Sequence, residues 1–121
     1  MEVIRTSEVS KKPVTNPLFT GGTVTGQPLL PKGIRRHFNM SMINFGKGAR
    51  NKLHSHTSDQ VLIVTAGMGV IATGQDEVII REGDNIYIPA GEKHWHGATK
   101  DSELSHISVV LTDSKTTQLE D

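Results

Sequence analysis

The chain has 121 residues, 13 basic and 13 acidic, and no cysteine. The length suits one domain with an independent core. The zero net charge gives no basic field for nucleic acid, and the lack of cysteine excludes disulfides, thiolate metal sites and cysteine nucleophiles.

The N-terminus, MEVIRTSEVSKKP, lacks the apolar run of a signal peptide, and no stretch is long enough for a membrane span. A cytoplasmic location without membrane or nucleic-acid partners is therefore expected. Val3–Ile4 is expected as a short edge strand. Residues 1–35, proline- and glycine-rich from residue 10, form an N-terminal arm with short strands.

The regular part, residues 36–113, reads as short strands punctuated by glycine turns. Strands are expected at 36–45, 51–56 and 60–65, the last stopped by Ala66–Gly67. More follow at 69–73, 77–80, 85–88, 94–98 and 105–111. Residues 114–121 are polar and expected to fray. No window keeps a helical apolar face, so the fold class is all-β, a sandwich or barrel.

Five of the six histidines lie at 54, 56, 94, 96 and 106. Residues two apart on a strand share a face, so His54 and His56 point one way together, as do His94 and His96. Two such pairs facing each other across a small barrel would converge, with Gln60 opening the next strand beside them. A lone histidine in a β-protein is more often a surface or packing residue, and His37 is read that way. Trp95 falls between two inward histidines and is expected to face the other way.

The flanks are specific. Gly48, His54-Ser55-His56, Gln60 and Gly67 form one unit, and Gly83, Pro89-Ala90-Gly91 and His94 a second. Together they resemble the paired signature motifs of the cupin superfamily over about residues 40 to 110. The longer stretch GDNIYIPAGEKHWHGA with a downstream SHI is similar to small single-domain cupins. Among these are the carboxymuconolactone-decarboxylase-associated cupins and the cupin-type hydroxynitrile lyases. The chain departs from the general pattern at Gln60, where glutamate is usual, and at Ala98, where asparagine is usual.

The resemblance implies a cupin β-barrel, of the jelly-roll type, binding one divalent transition metal. Manganese is expected first, with Fe, Ni, Co, Cu or Zn as alternatives. The ligands it implies are His54, His56, Gln60 and His94, with His96 and His106 as catalytic proton carriers. Ser41, Ile43 and Phe45 fall on the cavity side by the same resemblance, though the strand's own alternation leaves either register open. Asn51 is a further substrate-binding candidate. The function implied is a metal-dependent lyase at a carbonyl or cyanohydrin centre, acting on a small molecule. A cupin dioxygenase on a small aromatic, or a non-catalytic metal-anchored binding module, is the alternative. Small cupins also suggest a homodimer, with the N-terminal arm at its interface.

Overall fold

The computed structural model describes residues 1–31, 33–34 and 37–121. Twelve antiparallel strands form two sheets that curl into a barrel. They are β1 (Lys12–Pro13), β2 (Phe19–Thr20), β3 (Val24–Pro28), β4 (Phe38–Phe45), β5 (Arg50–Asn51) and β6 (His54–His56), then β7 (Gln60–Thr73), β8 (Glu77–Arg81), β9 (Asn85–Ile88), β10 (His94–Ala98), β11 (Leu104–Leu111) and β12 (Thr116–Gln118). One sheet runs β1-β3-β4-β11-β7-β9. The second joins β8, β7 and β10, with β5-β2 and β6-β12 continuing from β10. Among the described residues no helix is long and apolar enough to cross a membrane.

β7 belongs to both sheets, which is how the barrel closes. The expected stop at Ala66–Gly67 is instead a bulge. The pairing with β11 shifts there, so that Ser105 faces Ala66 while His106 faces Val64. The extra residue lets the strand bend from one sheet to the other. Gly67 sits at φ 78°, and a Cβ there would collide with the Glu103 carbonyl oxygen. The β11 backbone thus comes closer than any side chain allows. Gln60, Leu62 and Val64 remain inward and buried along the first half of the strand.

Other boundaries differ for equally local reasons. The expected strand 51–56 breaks at Lys52–Leu53; β5 and β6 both pair with β10, but on the other side β5 meets β2 and β6 meets β12. Val3 and Ile4 pair with nothing and are exposed; a single 3-10 turn, Thr6–Glu8, follows. Arg36, the expected start of the long strand, lies outside the described residues, and the strand begins at Phe38. The arm does carry short strands, and β3 adds to β4 within the same chain. The tail contains a short strand that was not expected: β12 pairs with β6 over its whole length.

The apolar core lies between the sheets and gathers Val24, Phe45, Ala49, Val64, Ile80 and Leu104. Phe45 is the boundary between this core and the histidines, its ring 5.4 Å from that of His106 and 5.9 Å from that of His96.

Candidate metal centre

The histidines are brought together by pairing register. His54 and His56 share a face of β6, with ring centroids 4.8 Å apart. His94 on β10 lies directly across from His54, at 4.3 Å between rings, and 5.4 Å from His56. One ring nitrogen from each of the three lies within 4.8 Å of the other two. The turn preceding β10 is clamped onto this arrangement. Gly91, at φ 83°, donates its N–H to the His56 carbonyl at 2.8 Å, and the Ala90 N–H donates to the Asp59 carboxylate at 2.8 Å. The positive φ lets the chain turn back tightly enough for both contacts.

The rings are oriented by their other nitrogens. His54 Nδ1 lies 2.6 Å from the Lys52 carbonyl and His94 Nδ1 lies 2.9 Å from the Glu92 carbonyl. A carbonyl only accepts, so both Nδ1 atoms carry the proton and both Nε2 lone pairs are free. His56 Nδ1 is held at 3.0 Å by the Thr116 hydroxyl on β12. Gln60, beside His56, donates its amide NH2 to Ser108 Oγ at 2.9 Å, which leaves its Oε1 as an acceptor.

This donor set fits a divalent cation. His56 Nε2, His94 Nε2 and Gln60 Oε1 are buried with no hydrogen-bond partner in the chain. Each such orphan costs about 1–3 kcal/mol unless something satisfies it. Burial pushes the His54 pKa down from 6.5 to about 4, against the raising effect of the Lys52 carbonyl bond. It does the same to His56, with repulsion from His94 adding to it. His94 is lowered as well, again mainly by burial. Three neutral imidazoles and an amide oxygen form a donor set that suits a first-row divalent metal.

A second group adjoins the first. His96 lies outside the three-nitrogen cluster, its ring stacked 5.8 Å from that of His94. Its Nε2 is 3.1 Å from Asn51 Nδ2 and its Nδ1 is 3.2 Å from His106 Nε2. Asn51, His96 and His106 are all buried. Burial, with the charges of the neighbouring histidines behind it, drives the His96 pKa well below 6.5. His106 falls to about 4 for the first of these reasons.

Both groups open onto one cavity of about 120 Å³. Its polar wall carries His54, His56, His96, His106, Gln60, Asn51 and Ser108; its apolar wall is Leu18, Phe19, Ile43 and Phe45. Ile43 and Phe45 thus reach the cavity. Ser41 lies one step further along their face, opposite Ser108, and is not part of the lining. Trp95 faces away, its ring 4.2 Å beneath the Arg50 guanidinium. Leu18, Phe19, Ser108 and Thr116 carried no signal in the sequence. The first two lie in the irregular arm, Ser108 is one of many strand serines, and Thr116 belongs to a polar tail.

The cupin domain model matches residues 41–110, more than half of the chain. The chain belongs to the cupin family. This cupin is 37% identical over 92 residues to an (R)-mandelonitrile lyase of Granulicella tundricola, covering 75% of this chain and 70% of the relative. It is 29% identical to an acireductone dioxygenase of Exiguobacterium sibiricum, covering 59% of this chain but only 40% of that protein. Among solved structures, a cupin-like protein of Thermotoga maritima superposes with a TM-score of 0.81 at 32% identity, covering 90% of this chain and 84% of that one.

Proposed function

We propose that this cupin is a metal-dependent lyase that cleaves a cyanohydrin into a carbonyl compound and hydrogen cyanide. The observation that carries the reading is the four-donor set beside a small, half-apolar cavity. The likeness to a mandelonitrile lyase supports the choice of substrate class. His54, His56, His94 and Gln60 would hold the metal, which we take to be manganese. A bound divalent metal supplies Lewis acidity toward the substrate oxygen.

The remaining work falls to the chain. A cavity of about 120 Å³ is near the ~150 Å³ that accepts a benzene ring. Leu18, Phe19, Ile43 and Phe45 would hold such a one-ring or branched substituent and keep water out. The His96–His106 pair, kept neutral by burial, would take the hydroxyl proton at His96 Nε2, in place of the bond that this nitrogen accepts from the Asn51 amide. As that O–H bond breaks, its electron pair forms the carbonyl, the C–CN bond breaks, and its electrons leave with cyanide. Cyanide then carries the proton away as hydrogen cyanide, and the imidazoles return to neutrality.

The test is elemental analysis of untagged protein beside the Gln60→Ala and His94→Ala variants, followed by a cyanohydrin-cleavage assay on manganese-loaded protein. Near-stoichiometric metal lost in both variants, together with cleavage, is the expected result. Metal without cleavage would replace the lyase by oxygen-dependent chemistry, read as oxygen uptake, or by simple ligand binding. No metal after loading would remove the basis of the whole reading.

A further inference from the structure

A neutral imidazole carries its proton on one nitrogen and its lone pair on the other, and a proton carrier works in only one of the two arrangements. At His96 the choice follows from one amide. The His96 backbone N–H donates to Asn51 Oδ1 at 2.8 Å. Only the oxygen of that amide can accept, so the orientation of Asn51 is determined. Its NH2 group then faces His96 Nε2 at 3.1 Å. An amide NH2 only donates, so Nε2 must supply the lone pair and the His96 proton sits on Nδ1. From Nδ1 the proton points to His106 Nε2 at 3.2 Å. That nitrogen in turn must accept, so the His106 proton sits on Nδ1, a buried atom with no hydrogen-bond partner among the described residues.

We propose that Asn51 is a positioning residue that sets the tautomers of both His96 and His106 in sequence. Its two amide atoms read the His96 backbone and ring at once, and the ring passes the choice on. All three side chains are buried, which limits the competing donors and acceptors that water can offer. Leu18, Phe19 and Phe45 close the same cavity from the apolar side. Asn51, the substrate-binding candidate, lines the cavity, and its amide bonds His96 through both of its polar atoms. The direction of the chain matters for turnover only if the pair carries the proton in the proposed lyase. The tautomers themselves do not depend on that reading.

The test is a long-range proton–nitrogen correlation spectrum of the histidine rings. It uses 15N-labelled protein, metal-free and loaded with diamagnetic zinc. In the wild type, Nε2 of His96 and of His106 should both resonate as unprotonated ring nitrogens and both Nδ1 as protonated ones. In Asn51→Ala the preference should be lost, with the His96 Nδ1 and Nε2 resonances moving toward each other. A protonated His96 Nε2 in the wild type would overturn the proposal without any variant having to fold. Unchanged tautomers in Asn51→Ala would overturn it too, because something else would then set them. Absent cyanohydrin cleavage with the expected tautomers in place would count against the lyase and leave Asn51 in its role.

Discussion

Thr116→Val tests whether β12 supports the metal centre. His54 and His94 are oriented by backbone carbonyls, which no substitution removes, whereas His56 depends on the Thr116 hydroxyl at 3.0 Å. Valine keeps the shape and the β propensity and deletes only the oxygen. Loss of an outer hydrogen bond of this kind typically lowers metal affinity by about 10–100-fold. This one is at the solvent side of the site, where water can take the place of the hydroxyl. The expected loss is therefore at the low end, about 10-fold, or ~1.4 kcal/mol. Thr117→Val is the matched control, since Thr117 pairs with Ser55 on the opposite face of the same strand. The assay is competition for manganese against a chromophoric chelator, with thermal melting of the metal-free proteins alongside. Affinity within about 2-fold of wild type, or an equal loss in Thr117→Val, would refute the role assigned to Thr116.

Three further outcomes follow from the same geometry. Gln60→Glu adds a charge where the chain has a neutral oxygen; manganese should bind at least ~10-fold tighter in the chelator assay, while a less acidic metal slows turnover. Gly67→Ala should cost more than ~2 kcal/mol in urea denaturation, from the left-handed backbone and the collision with Glu103. Folding lowers the His106 pKa from 6.5 to about 4, so between those values the unfolded chain binds more protons. Metal-free protein should lose ~3 kcal/mol from this group as pH falls through that window. This contribution should be absent above the upper value, and His54 and His56, also lowered to about 4, add to the loss in the same window; stability that rises on acidification would contradict it.

The strands at 77–81, 85–88, 94–98 and 104–111 were legible to within a residue, the first two because a glycine or proline turn ends each of them. The three clustered histidines were legible for the same reason: a period of two puts neighbours on one face, and register does the rest. β7 misled because a glycine inside a strand pattern marks either a stop or a bulge. What decides between them is the Glu103 carbonyl, 36 residues away along the chain, resting against Gly67. β12 was invisible because Thr116, Thr117 and Gln118 show no apolar alternation. They are held by a backbone ladder to β6, whose free edge exists only once the barrel has formed.

The supports of the centre divide along the same line. His54 and His94 each bond the carbonyl two residues before them, Lys52 and Glu92. That is a local device, repeated in both motifs, and it is encoded wherever the chain makes the turn correctly. His56 and His96 instead depend on Thr116 and Asn51, 60 and 45 residues distant. A motif can therefore declare the ligands while saying nothing about which nitrogen each ring presents. Where the partner is the ring's own neighbouring backbone, orientation comes with the motif. Where it is a side chain on another strand, orientation is a property of the assembled barrel, and a substitution beyond both motifs, as at Thr116, can change the chemistry with every ligand still in place.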